Sequence, residues 1–246
     1  MKTYRPAIAT DDEPWVELSD GRALADWNHA DEIAFNQTLR QAHKHQFYML
    51  AFDFLSANEI GGDYFEFGCH RVRTFRMALT EARRKNFEHM HFVAFDSFEG
   101  LPPAESEPGV RTWTKASLAT SQNAFMALVE KHGIYTDRVS TVPGFFSDSL
   151  TDDLAARLAG EGRKVGFACV DCDLYESAVP VFRFLDRLLQ PGSLIYIDDY
   201  YVGYKGDPNA GVARAFAEFM PTSRFRFEPH LNIGWWGRSF ITCKKT

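Results

Sequence analysis

The 246-residue, 28.0 kDa chain carries 27 Lys and Arg against 33 Asp and Glu, a formal net charge of −6 with a pI near 5.8. That acidic balance argues against nucleic acid or an anionic membrane as main partner, because phosphate binding needs a basic face, and no apolar run approaches the ~18 residues of a bilayer span. Hydrophobic residues at 45% and charged ones at 24% exclude disordered and fibrous classes, and four cysteines make no disulfide scaffold, so a reducing cytoplasm is expected.

Residues 1–32 mix acids with Pro14 and few periodic apolars, and read as an arm; MKTYRPAIATDDEPWVEL has no apolar core of the kind a signal peptide needs. Residues 33–246 read as one domain, a docking helix over 33–60 followed by a core over 61–246. Phe35, Leu39, Phe47, Leu50 and Phe54 recur at helical spacing and predict one buried stripe on that helix, which Gly61-Gly62 ends. Short apolar runs then follow at Tyr64–Phe67, His91–Phe95, Val139–Val142, Val165–Val170 and Leu194–Ile197. Most are separated by helical patterns: Thr74–Lys85, Ser117–His132 and Ala178–Leu189. Runs such as VGFACV are apolar on both faces, as in a parallel sheet covered by helices on both sides. The fold class is therefore α/β, a doubly wound, mostly parallel sheet of Rossmann-like type. A late helix, Ala210–Met220, precedes Ser223–Phe227 and Trp235–Cys243, which read as a closing antiparallel pair.

Ligands of such sheets bind at the carboxyl ends of the strands, so the residues after each strand carry the functional reading. The first strand runs into Glu66-Phe67-Gly68, then Cys69-His70-Arg71-Val72-Arg73-Thr74 leads into a helix. The glycine lets backbone approach a ligand, and the acid can accept hydrogen bonds from an ammonium or a ribose. Asp96, followed by Ser97, ends the second strand, where doubly wound nucleotide binders hold ribose hydroxyls. Asp171 follows the fourth strand, and Asp198-Asp199 the fifth. On neighbouring strands, about 4.8 Å apart, these three carboxylates repel one another unless a hard cation such as Mg²⁺ sits among them. Cys169-x-x-Cys172 has zinc-knuckle spacing without a second pair, and Tyr201-x-x-x-Lys205 mimics a dehydrogenase pair but lies among Gly203, Gly206 and Pro208, which argue for a loop.

Together, FEFG (65–68), FDSFEGLP (95–102), PGFFSDSL (143–150), VDCDLYES (170–177) and PGSLIYIDDY (191–200) resemble the macrocin O-methyltransferase family, whose members methylate sugar hydroxyls of natural products using S-adenosylmethionine. The resemblance implies the class I methyltransferase fold, with Glu66, Gly68, Cys69, Arg71, Thr74, Asp96 and Ser97 around the methionine and ribose of the cofactor and Gly144-Phe145-Phe146 near its adenine. It further implies a divalent metal on Asp171, Asp198 and Asp199, with Asp171 also the general base. The chain departs from the family where Val72-Arg73 replaces small residues, which implies that Arg73 turns outward or pairs with the methionine carboxylate.

The implied partner is a small-molecule hydroxyl acceptor, a sugar or a glycosylated natural product, with no nucleic acid, no membrane and a homo-oligomer left open. The loop Glu99–Lys115, with Pro102, Pro103, Pro108 and Trp113, reads as a lid over the acceptor. Phe67, Phe95, Phe98, Phe145 and Phe146, among 22 phenylalanines, read as an aromatic wall beside a cationic cofactor. Two competing readings are a binding protein that kept the fold and lost turnover, and a nicotinamide-dependent oxidoreductase, which the missing G-x-G-x-x-G disfavours.

Overall fold

Residues 28–102 and 118–245 are described by the computed structural model. The apolar runs form β1 (Asp63–Phe67), β2 (Phe92–Asp96), β3 (Val139–Pro143), β4 (Val165–Val170) and β5 (Leu189–Ile197), all parallel to their neighbours among the five. β6 (Phe225–Ile233) and β7 (Gly237–Lys244) extend the sheet antiparallel, in the order β3-β2-β1-β4-β5-β7-β6. Parallel pairing demands crossovers, supplied by α2 (Phe75–Arg84), α3 (Gln122–His132), the single turn α4 (Phe146–Ser149), α5 (Asp152–Gly160) and α6 (Tyr175–Leu188). α7 (Gly211–Phe219) joins β5 to the final hairpin. Strand order reverses between β1 and β4, which makes the crevice at their carboxyl ends the expected ligand position.

The chain divides into two units, Met1–Leu39 and Arg40–Thr246. Of the first, residues 28–39 are described. They open helix α1 (His29–Ala57), which starts before the expected 33 because Asn28 caps it: its Oδ1 accepts from the Ala30 and Asp31 amides at 2.8 and 3.1 Å, and Asp31 accepts from the Asn28 amide at 3.1 Å. In the second unit, strand parity assigns the faces. Phe65, Phe67, Val93, Phe95, Ala168, Val170, Ile195 and Ile197 bury against α5, α6 and α7. Tyr64, Phe92, Ala94, Phe167, Cys169, Leu194 and Tyr196 bury against α2, α3 and the 40–57 part of α1.

The predicted stripe on α1 is corrected. Phe47 is buried and Phe54 half-buried, but Phe35, Leu39 and Leu50 are 51%, 46% and 46% exposed. The buried positions are Lys44, Phe47, Tyr48, Ala51, Phe52 and Leu55, a face turned away from the expected one. A lysine in that face disguised it, since lysine is almost never buried unless paired. The expected aromatic wall is corrected in part as well: Phe67 and Phe95 stack 4.5 Å apart inside the core rather than lining an edge.

No helix among the described residues is long and apolar enough to cross a membrane. Of the expected lid, residues 103–115, including Pro103, Pro108 and Trp113, lie outside the described residues.

Candidate active site

Side-chain parity continues off the strands into the site. Phe167 and Cys169 face α1, so Asp171 does too; Leu194 and Tyr196 face α1, and so does Asp198. Lys44, reaching in from α1, meets both: its Nζ donates to Asp198 Oδ2 at 2.6 Å and lies 3.4 Å from Asp171 Oδ2. The Tyr196 hydroxyl donates to the other oxygen of Asp198. One turn earlier on α1, Arg40 Nη2 donates to Asp199 Oδ1 at 3.3 Å. Asp173 and Asp199 adopt left-handed backbone, φ 62° and 51°, a conformation aspartate tolerates and one that re-aims each carboxylate as the chain leaves its strand. As a result Asp171, Asp173 and Asp199 can each place an oxygen within 4.8 Å of the others.

The expected acids divide into two groups. Asp171 and Asp199 come together with Asp173, whereas Asp198 is occupied by Lys44 and Tyr196. The electrostatics follow the same division. Burial alone would raise Asp198, but the Lys44 charge and the hydrogen bonds from Lys44 and Tyr196 hold it below the ordinary carboxylate range. Burial would likewise lower Lys44, but Asp171 and Asp198 keep its ammonium firmly protonated. Asp171 and Asp173 are pushed well up, by burial first and by the neighbouring aspartates next, and Asp199 is raised for the same reasons. Four carboxylates face two basic groups here, so full ionisation would leave two negative charges in excess, to be offset by protons or by a cation. Hard oxygen donors at this spacing, with that residual charge, fit one divalent cation.

At the β1 tip, Gly68 has φ +88°, and a Cβ there would sit 1.9 Å from the Asp171 carbonyl oxygen. The glycine therefore permits β1 and β4 to approach at the switch point, where the Asp171 amide donates to Phe67 O at 2.9 Å. Asp96 bridges the first two tips: its Oδ2 accepts from the Cys69 amide at 2.7 Å and its Oδ1 from the Phe98 amide at 2.7 Å. Ser97 Oγ donates to Gly100 O at 2.7 Å and shapes the same turn, and the Gly144 amide donates to Asp96 O at 3.0 Å, drawing Gly144-Phe145 beside it. Glu66 is fully buried, accepts from Thr74 Oγ1 at 2.8 Å and from the Tyr64 hydroxyl, and burial raises it to about 7 against the pull of those two hydrogen bonds.

At the Val72-Arg73 departure the valine turns inward and the arginine is exposed. Val72, at φ 59°, is 2% exposed and packs in the core with Phe75, while Arg71 and Arg73 are exposed. A β-branched residue at positive φ is an outlier, and Arg71, Phe98, Asp173 and Asp199 share the left-handed region along this same edge. Cys169 and Cys172 are free and buried, and Tyr201 and Lys205 lie in the turn region after β5 as expected.

Lys44, Arg40 and Asp173 are functional candidates that sequence reasoning missed. Asp173 was visible only as a second acid just past the fourth strand; its left-handed backbone, not strand parity, brings its carboxylate to Asp171 and Asp199.

Residues 23–238 match the model of the family described as Macrocin-O-methyltransferase (TylF). A curated relative, the 8-demethyl-8-(2,3-dimethoxy-alpha-L-rhamnosyl)-tetracenomycin-C 4'-O-methyltransferase of Streptomyces olivaceus, is 32% identical over 59% of this chain and 56% of its own. Mycinamicin III 3''-O-methyltransferase of Micromonospora griseorubida is 29% identical over 44% of this chain and 42% of its own. The chain thus spans about half the length of the curated relatives it matches. Among solved structures, the O-methyltransferase NovP superposes with a TM-score of 0.67 at 18% identity, over 82% of this chain and 80% of that one, a likeness of fold. With the family model covering nearly all of the described sheet and its site, the chain belongs to the macrocin O-methyltransferase family.

Proposed function

We propose that the chain is an S-adenosylmethionine-dependent O-methyltransferase acting on a hydroxyl of a sugar or sugar-bearing natural product, with a divalent cation held by Asp171, Asp173 and Asp199. The carrying observation is the cluster of four carboxylates against two basic groups beside the β1–β4 switch point of a family member. The relatives' names supply the acceptor class, since both act on glycosylated natural products.

S-adenosylmethionine, when bound, supplies an electrophilic methyl group on sulfur. A divalent cation, when bound, supplies Lewis acidity that makes a sugar hydroxyl easier to deprotonate. The protein does the rest. Glu66, Gly68, Cys69, Asp96 and Ser97, with Gly144-Phe145 and the outward Arg71, form the cofactor end of the crevice; Thr74 acts through Glu66, whose carboxyl it fixes. Asp171 is the most open of the clustered carboxylates, at 22% side-chain exposure, which suits it to take the proton of the acceptor hydroxyl. Lys44 keeps Asp198 ionised and immobile, so that Asp198 does not compete for that proton. Holding hydroxyl and methyl in line between the β1 and β4–β5 tips contributes the orientational part of catalysis, which reaches about 7–11 kcal/mol in the best intramolecular cases.

The test is incubation with S-adenosylmethionine and a panel of rhamnosyl and other deoxyhexosyl glycosides, read by mass spectrometry for one added methyl group, with Mg²⁺ or excess chelator. Methyl transfer that chelator abolishes is the predicted result; full transfer in chelator removes the metal, and absence of both transfer and cofactor binding removes the enzyme reading.

A further inference from the structure

Beyond the carboxylates, on the β5–β7–β6 side of the same edge, lies a cavity of about 570 Å³ lined by Tyr201, Gly203, Lys205, Gly206 and Trp235. Arg238, at the start of β7, pairs with Ile197 at the end of β5, so the β6–β7 hairpin tip sits beside the aspartates that follow β5. That tip is built to present one tryptophan and bury the next. Gly234 has φ +56°, and a Cβ there would lie 2.1 Å from the Trp236 ring; the glycine lets Trp236 tuck beneath, 3% exposed, while Trp235 stands 67% exposed. The loop after β5 is tied to it, the Tyr201 amide donating to Trp236 O at 3.0 Å and Arg238 Nη1 to the Tyr201 hydroxyl at 3.4 Å.

Two buried donors below this shelf have no hydrogen-bond acceptor among the described residues: Trp236 Nε1 and Arg40 Nε. Arg40 lies 4.7 Å over the Trp236 ring and also reaches Asp199, so it connects the shelf to the carboxylate cluster. A large exposed aromatic beside a cavity of ligand size calls for a flat apolar face.

We propose that Trp235, Tyr201 and Lys205 form the acceptor subsite, which takes a glycoside whose sugar lies toward the aspartates after β5 while a flat ring carried by that sugar stacks on Trp235. This deepens the O-methyltransferase reading and rests on it. The sheet then lays out the reaction in order: cofactor at β1 and β2, carboxylates at β4 and β5, acceptor at β5 and β7. Two sources share the chemistry of a flat ring on a sugar, an aromatic aglycone and the base of a nucleotide-activated sugar, and Lys205 distinguishes them by facing a diphosphate in the second.

The experiment titrates intact protein, saturated with S-adenosylhomocysteine and Mg²⁺, with p-nitrophenyl α-L-rhamnoside, dTDP-L-rhamnose and free L-rhamnose, using calorimetry. The first or second should bind at least about tenfold more tightly than the free sugar, and Trp235→Ala should remove that advantage while Trp235→Phe keeps most of it. S-adenosylhomocysteine affinity should stay within twofold in both variants, which also shows that they fold. Lys205→Gln weakening dTDP-L-rhamnose alone assigns the nucleotide source; unchanged affinity assigns the aglycone source. Binding of the preferred glycoside that is unaffected by Trp235→Ala, or no advantage of either glycoside over the free sugar, overturns the subsite. Failure of the wild type to bind S-adenosylhomocysteine overturns the underlying methyltransferase reading instead.

Discussion

Replacing Lys44 with methionine isolates the feature that most distinguishes this site. The side chain is 9% exposed and its Nζ donates to Asp198 at 2.6 Å, with Asp171 at 3.4 Å, so methionine preserves the packing of α1 and deletes only the charge. Removing one partner of a buried pair leaves the other charge uncompensated, at about 3–5 kcal/mol. For a chain of this size that corresponds to a midpoint loss on the order of 10 °C. The penalty has a pH signature. Without Lys44, burial at Asp198 is opposed mainly by the Tyr196 hydrogen bond; the lost charge lifts its folded pKa above the unfolded value, so the variant loses stability as pH rises through the carboxylate range and recovers on acidification. Urea titrations of both proteins at pH 5 and pH 8 measure this, with unchanged slope confirming that the unfolded state is comparable. A deficit below about 1 kcal/mol at pH 8, the range of exposed pairs, or one that does not shrink at pH 5, refutes the buried-pair account.

Glu66→Gln should flatten part of the native protein's pH dependence. Its carboxyl is raised from 4.5 to about 7, so the folded state holds the proton more tightly and stability falls as pH rises across that window, by about 3 kcal/mol from this group; an unchanged stability profile in the variant counts against it. Gly68→Ala should cost more than the usual 1–3 kcal/mol of overpacking, about 3 kcal/mol or more, because the new methyl meets the Asp171 carbonyl and φ +88° is itself strained; a thermal melt within a degree of wild type contradicts this. Asp173→Asn should keep or raise basal stability by relieving repulsion, yet abolish the gain from Mn²⁺, which at a hundredfold over the dissociation constant is about 2.7 kcal/mol in the native chain. Equal Mn²⁺ stabilisation of both proteins removes Asp173 from the cation set.

The fold was legible where periodicity and burial agree. VGFACV marked β4 at its observed bounds because a strand covered on both faces has no polar interruptions. The strand tips were legible for the same reason, since each apolar run ends where a charged residue begins, at Asp96, Asp171 and Asp198. What escaped depends on tertiary partners. Lys44 reads as a solvent residue until a helix delivers it to two aspartates, and its presence hid the true apolar face of α1. Asp173 was passed over because a left-handed residue after the strand decides where its carboxylate points, and nothing local announces that turn. Gly68 was assigned to ligand approach; the structure shows its lost Cβ making room for the Asp171 carbonyl. The Tyr201 and Lys205 pair, set aside as a loop, turned out to line a cavity next to the site.

The central claim is that the crevice between β1 and β4 holds S-adenosylmethionine on the Asp96 side and delivers its methyl group toward Asp171. Calorimetric titration of the whole chain with S-adenosylhomocysteine tests it most directly. The account predicts one saturable site, lost in Asp96→Ala and retained in Trp235→Ala. Absence of binding to the native chain, or binding indifferent to Asp96→Ala, would contradict it.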